Sequence, residues 1–464
     1  MRSRLPWLLF TLAVITINHG AWAWYPHGDK YTAWQKKNPM IYGAWFSCNA
    51  EDSREPGGRQ QDRVRRFAAV GFNDLLWIKA NHRPWFIQAH KLGLTWRTGM
   101  RGSQKTVRET LESTPGRSAL ITAYGPYDTL DDMEDLAEWS QWSRDNFPDL
   151  LSYAIILERG TNYKYERYIK HCQPDILAVE LFVIDTDGSI KPEYHSQLAK
   201  LAKTAKQYHL PLWVQLQSFE PITAKPRLPS FAASQLDGAT MRAQTFLALA
   251  HGVTGVHYFM YYGYELGMVV DLGTPTPGSR GSGIRPTQYE NTVLTRSWYA
   301  ARDMAPEIHR LGKSLIHMRL DGDVTYSGQV PEQCSPFEGR GHLLAAAIVN
   351  DSAATMQVNT EPENPSSLAV SFLTDQAGEE YFMIVNMVHG SRMSKLDGAR
   401  TVRLTFDKNV THIQRHSRHT GNIVTLVTDT SADGSRFLEF HLEGGTGDLF
   451  KWSNGNPWAL GSNE

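Results

Sequence analysis

The feature that most limits what this chain can fold into is an alternation. Eight short apolar runs, each suited to a buried strand, are separated by stretches of helical period. The runs are Met40 to Cys48, Asp74 to Lys79, Leu94 to Gly99, Leu120 to Pro126, Leu151 to Glu158, Ile176 to Ile184, Leu212 to Ser218 and Gly255 to Tyr261. Between them, Arg59 to Val70, Asp131 to Asn146, Glu193 to Tyr208 and Ala239 to Ala250 read as helices, each followed closely by the glycine or proline that usually stops one. Repeated strand–helix units imply parallel strands, and eight of them within about 300 residues predict a (β/α)8 barrel. A doubly wound sheet is the competing arrangement. Its Gly-rich phosphate-binding turn should follow the first strand, where this chain has Cys48-Asn49-Ala50-Glu51-Asp52 instead. A helix from about Asn291 to Leu311 would close the ring.

From about Leu320 the helical period stops. Leu368 to Leu373, Tyr381 to Val388, Arg400 to Phe406, Ile423 to Val427 and Phe437 to Leu442 are short alternating runs between Gly, Asn, Asp and Ser clusters, the pattern of an all-β sandwich. Asn350 to Pro365 reads as an exposed loop of that unit. The expected fold class is therefore α/β, a (β/α)8 TIM barrel over residues 24–319 followed by a C-terminal antiparallel β-sandwich over 320–464. Residues 1–23 stand apart: Arg2 and Arg4, the apolar run Leu5 to Ile17 and the small-x-small ending Ala21-Trp22-Ala23 read as a signal peptide. An apolar core of about 13 residues is short of the roughly 20 that a membrane span needs. Cleavage after Ala23 and a secreted or periplasmic protein are expected, with no membrane span left in the mature chain.

The 464 residues balance 47 Lys+Arg against 48 Asp+Glu, with 41% hydrophobic residues, enough for a sizeable core. That balance, with no basic run or groove-reading motif, argues against a nucleic-acid partner. Cys48, Cys172 and Cys334 can form one bridge at most, and they are too few and scattered for a zinc site. The 17 histidines are spread out, and neither a His-Glu-x-x-His nor a Gly-x-Ser-x-Gly motif occurs. No metal or other cofactor is expected.

In such barrels the working residues project from the C-terminal ends of the strands. There the sequence offers Trp45, Trp77, Arg97, Tyr127 with Asp128, Glu158, Glu180, Gln217 and Tyr261. Asp271, beyond the eighth run, reads as a loop residue. Carboxylates among aromatic rings, amides and a guanidinium suit a sugar, whose C–H faces pack on rings and whose hydroxyls need paired donors and acceptors. Glycosidic cleavage usually needs two carboxyl groups, one of them protonated. Glu180 lies inside the apolar Ala178-Val-Glu-Leu-Phe182, where a carboxylate must face the barrel mouth or be paired. Glu158 can equally pair with Arg159, and Asp128 can equally open a helix.

Several segments resemble barrel glycoside hydrolases related to the bacterial family-42 β-galactosidases. Phe246-Leu-Ala-Leu-Ala-His-Gly-Val-Thr-Gly-Val-His-Tyr-Phe-Met-Tyr261 is similar to their last helix and strand. Pro174 to Ile184, Leu212 to Phe219 and the closing Gly444 to Trp452 are similar to later strands of the family. Two positions depart from it. Where relatives carry Asp-Glu-Pro after strand four, this chain has Gly125-Pro-Tyr-Asp128, and where they carry an acid before Leu-Arg it has Ala239-Thr-Met-Arg242.

The expectation is thus an exported glycoside hydrolase acting on a polysaccharide or oligosaccharide. Glu180 would be nucleophile or base, Glu158 proton donor and Asp128 the reserve acid, with Trp45, Trp77, Arg97, Tyr127, Gln217 and Tyr261 as sugar contacts. Neighbouring strands lie about 4.8 Å apart, which brings Glu158 and Glu180 towards the roughly 5–5.5 Å of a retaining pair. The alternatives are a carbohydrate-binding protein on a degenerate barrel, and a polysaccharide lyase with a Tyr or His base acting on a uronate.

Overall fold

A computed structural model describes residues 27–46, 57–77, 83–99, 103–125, 130–157, 163–185, 188–219, 238–262, 267–271, 292–350, 367–390 and 393–460. Eight parallel strands form a closed barrel in chain order: β1 (Ile41–Trp45), β2 (Asp74–Trp77), β3 (Thr95–Gly99), β4 (Arg117–Gly125), β5 (Leu151–Leu157), β6 (Leu177–Leu181), β7 (Leu212–Gln217) and β8 (Val253–Phe259). Around them lie α2 (Gly57–Ala68), α3 (Arg83–Lys91), α4 (Gln104–Ser113), α5 (Leu130–Asn146), α6 (Tyr163–Cys172), α7 (Glu193–Gln207), α8 (Gly238–Ala250) and α9 (Arg296–Leu315). The α/β barrel expected from the apolar alternation is the one observed.

The stretch before the first strand, polar and aromatic in sequence, contributes a helix of its own, α1 (Asp29–Gln35), which closes the N-terminal end of the barrel. Three side chains tie it to strand starts. The Tyr31 hydroxyl donates to Thr254 Oγ1 at 3.0 Å, the Trp34 indole donates to the Ser118 carbonyl at 2.8 Å, and Lys30 pairs with Asp175 at 2.8 Å. The rings of Tyr31 and Trp34 pack against Trp213 inside the barrel. Gly255 makes room for that indole, since a Cβ there would meet the ring at 2.7 Å.

After β8 the chain forms a short antiparallel pair, β9 (Val269–Asp271) with β10 (Thr292–Leu294). Asp271 therefore ends a strand rather than lying in a loop, and the last helix starts at Arg296, after β10, instead of near Asn291. Its N-cap is Thr295, and α9 continues to Leu315, four residues beyond the expected end.

The C-terminal part is a β-sandwich. One sheet joins β11 (Arg319–Leu320), β12 (Thr325–Ser327), β13 (Ser335–Pro336), β15 (Leu368–Thr374), β16 (Glu380–Asn386), β18 (His412–His416), β19 (Ile423–Val427) and β22 (Gly447–Trp452). The other joins β14 (Leu343–Asn350), β17 (Arg400–Phe406), β20 (Asp429–Thr430) and β21 (Arg436–Leu442). The central strands of the larger sheet, β15, β16 and β22, are buried on both faces. Phe382 and Ile384 of β16 point into the sandwich with Val402, Leu404 and Phe406, whereas Tyr381, Met383 and Val385 join the core shared with the barrel. This is why β15 and β16 read as nearly continuous apolar runs, while β17 alternates between buried and half-buried residues.

Helix α8 lies between the barrel and this sheet and is buried from Ala239 to Ala250, which removes the usual two-faced pattern. Polar groups join the units there. Arg242 bonds Thr446 at 2.7 Å, Asp303 at 3.1 Å and Glu307, while Arg418 pairs with Glu443, Asp448 and Glu307. Gly445 has φ +68°, and a Cβ there would meet the Ala239 carbonyl at 2.2 Å. Cys172 and Cys334 are free thiols, Cys48 lies outside the described residues, and no described helix is long and apolar enough to cross a membrane.

Histidines gather at the seam between barrel and sandwich. His195 of α7 bonds the Tyr326 hydroxyl at 2.6 Å, and His416 of β18 bonds Ser314 of α9 at 3.0 Å. Burial lowers His195 to about 3, and lowers His251, His389 and His416 to about 4. The unfolded chain therefore takes up protons at a higher pH than the folded one. The stability these neutral rings contribute is complete above about 6.5 and is lost as pH falls towards 4. Urea unfolding at a series of pH values should show a flat region near neutrality, then a decline of up to about 1.4 kcal/mol per pH unit for each ring. Equal stability at pH 7 and about pH 4.5 would contradict this.

Candidate functional site

Glu180 is the next-to-last residue of β6, and strand register fixes where it points. Its neighbours across the sheet are Leu157 on β5 and Gln215 on β7. The row continues through His257 on β8 and Gly43 on β1 to Asp74 on β2. Registered neighbours share a face, and Asp74 and His257 meet Arg97 within the barrel, so the row faces the axis. Barrel strands are staggered, so the row descends from the C-terminal end of β6 to the first residue of β2. Glu180 stands at the mouth and Asp74 at the base. The Glu180 side chain is 5% exposed, and Gln215 Nε2 donates to its Oε2 at 2.8 Å.

Beside it is a cavity of about 260 Å³, lined by Leu157, Glu180 and Phe182 from the barrel, by Lys191 just before α7 and by Glu193 and Gln197 in its first turns. Phe182, just past β6, is 39% exposed. Its ring lies 5.5 Å from both Phe219 and Phe259, which follow or end β7 and β8. Phe259 continues to Trp45 at 5.7 Å, and Trp45 to Trp77 at 6.4 Å. Aromatic rings thus run along the C-terminal ends of β2, β1, β8, β7 and β6. The sequence reading selected Trp45 and Trp77 and missed the three phenylalanines. Each of the three sits at the end of an apolar run, so the signal that marked the tryptophans marked them too.

Three other expected contacts lie elsewhere. Arg97 is fully buried below the mouth, where its guanidinium bonds Asp74 Oδ2 at 2.5 Å, the Tyr153 hydroxyl and His257 Nε2. Burial, reinforced by the Arg97 charge, holds His257 well below its ordinary value, so the neutral ring accepts from the guanidinium. Burial pushes the Tyr153 hydroxyl upward, against the opposing effect of Arg97. Neither group is poised as a base near neutral pH. Gln217 is 1% exposed and binds backbone: its Oε1 accepts from Ile184 N at 3.1 Å, and its Nε2 donates to the Phe219 carbonyl at 2.7 Å. It thereby fixes the segments that carry Phe182 and Phe219. Tyr261 packs outside the barrel wall, with ring centroids 5.7 Å from Phe46 and 4.9 Å from Phe67 of α2.

Glu158, Asp128 and Tyr127 lie outside the described residues. Among the described residues, no cluster of His, Cys, Asp and Glu could hold a metal ion.

The chain matches no protein-family model and no curated protein sequence. Its fold is similar to solved structures of the glycoside hydrolase family 5 mannosidase from Rhizomucor miehei. For a mutant of that enzyme the TM-score is 0.47 at 12% identity, covering 63% of this chain and 99% of the other. A second structure of the enzyme gives 0.44 at 12% identity, with coverage of 59% and 94%. A GH5_18 protein from Bifidobacterium longum subsp. infantis gives 0.39 at 10% identity, with coverage of 58% and 79%. These neighbours are glycoside hydrolases.

Replacing Arg97 by Met should lower the free energy of unfolding by about 3–5 kcal/mol, because the Asp74 carboxylate would stay buried without its cation. Urea titration measures this, and an unchanged midpoint would show that the pair does not hold the barrel together.

Proposed function

We propose that the protein is an exported glycoside hydrolase acting on a polysaccharide or oligosaccharide. One observation carries the reading: Glu180, a nearly buried carboxylate at the barrel mouth, lines a cavity and stands next to an exposed aromatic ring. A sugar ring in that cavity would have a face to pack on Phe182 and a carboxylate within reach. The cavity, at about 260 Å³, lies just below the roughly 300–1,000 Å³ of typical ligand pockets and suits a single sugar unit. Glu180 is assigned as nucleophile or base and Glu158 as proton donor, with Asp128 in reserve. The segment resemblance to family-42 β-galactosidases supports the same reaction class.

A second reading, a carbohydrate-binding protein without turnover, draws support from α8. Relatives carry an acid there, whereas Ala239, Met241 and Ala243 are buried and Arg242 binds Asp303 and Glu307. No carboxylate reaches the mouth from the described part of that helix.

The test is a screen of the secreted protein against a glycan panel with product masses, followed by Glu180→Gln and Glu158→Gln on a cleaved substrate. Each variant should lose about 10²- to 10⁴-fold in kcat while keeping the wild-type urea midpoint. Nearly full rate in both would end the assignment of Glu180 and Glu158 as the catalytic pair, and glycan binding without products would favour the second reading. N-terminal sequencing of exported protein should give Trp24 as the first residue.

A further inference from the structure

Gln215 presents an imbalance. It is 2% exposed, on the inward face of β7, and its Nε2 donates to Glu180. The other end of the same amide, Oε1, is buried with no hydrogen-bond partner. Reversing the amide would bring Oε1 against a carboxylate oxygen, so the bond to Glu180 dictates the orientation that leaves Oε1 unmet. A buried acceptor without a donor destabilises the fold, a cost set against the charge-assisted hydrogen bond that the same amide gives Glu180. Leu212, Val214 and Leu216, on the opposite face of β7, are buried and apolar, while Gln217, the other amide on the inward face, bonds backbone at Ile184 and Phe219 rather than a side chain.

We propose that Gln215 is a positioning residue for the Glu180 carboxylate. It acts through Glu180, fixing the orientation of the carboxylate and favouring its ionised form at the barrel mouth, at the expense of its own carbonyl. This deepens the functional reading given above and rests on it for the role of Glu180, but the pairing can be tested without turnover. A hydrogen bond donated to a carboxylate stabilises the charged form, so its removal moves the titration of Glu180 to higher pH. The titration of Glu180 and the activity should then move together, whereas a residue serving only to pack the wall would leave the titration in place.

The experiment uses Gln215→Met, which keeps length and flexibility, and Gln215→Glu, which keeps shape but sets a second carboxylate against Glu180. Carbon-13 NMR of the glutamate-labelled full chain follows the Glu180 resonance, assigned by its loss in Glu180→Gln. The expected result is an upward shift of the Glu180 midpoint in both variants. On the substrate found by the glycan panel, Gln215→Met should lose about tenfold in kcat/KM, the rate equivalent of one charge-assisted hydrogen bond, with the acid limb of its pH profile moved upward. An unmoved Glu180 midpoint in both variants overturns the proposal. If Glu180→Gln keeps its turnover while the midpoint still shifts, the pairing stands and the catalytic role of Glu180 fails.

Discussion

The ion pair between Arg97 and Asp74 sits where a barrel has least room for error, in a closed interior that water does not reach. Neither side chain has measurable exposure, so neither charge is tolerable without the other. Around the pair, Ser118 donates to Asp74 at 2.7 Å and Thr95 donates to it at 2.6 Å, while Tyr153 and His257 meet the guanidinium. These partners come from β2, β3, β4, β5 and β8. A polar network that reaches across the ring specifies which strands face one another, and the row of residues ending in Glu180 inherits its height from that arrangement. Below it, α1 and Trp213 close the base with rings instead of charges.

The eight strands could be read from the sequence because each is a short apolar run punctuated by glycine or proline, and the observed strands fall close to those runs. The helix α1 could not. Its seven residues bury Tyr31, Thr32, Trp34 and Gln35 under the barrel, a composition that looks like a polar leader until the floor it covers is known. The site divides in a similar way. Glu180 stands out because a carboxylate within Ala178 to Phe182 must face the barrel mouth or be paired. Arg97 and Tyr261 met the same criterion of lying at or near a strand end, but that criterion does not distinguish height or face. Arg97 points inward too low, and Tyr261 lies past the end of β8 and turns to the helices. Gln215 was visible as part of a strand, yet its partner comes from register between β6 and β7, which no local pattern contains.

The sandwich is equally dependent on tertiary context. The middle of its larger sheet has no solvent face, since one side meets the smaller sheet and the other meets α8 and its neighbours. The residues of β16 are therefore apolar almost without break, and only the partition of Phe382 from Met383 reveals that two different cores are being served. The buried ion pairs between Arg242, Arg418 and their carboxylates replace the alternation that would normally orient such a sheet. Burial alone would raise the Glu443 carboxyl, but the Arg418 guanidinium holds it below its ordinary value, so this contact stays charged across the neutral range.

The close approach of Gly445 to α8 bears on how such a protein can diversify. With backbone set against backbone, any side chain at that turn would wedge the two units apart, and the positive φ would strain it as well. The appended sheet is thus not an interchangeable module hung on a linker. A foreign C-terminal half joined to this barrel would have to arrive with a matching glycine and a matching set of charges.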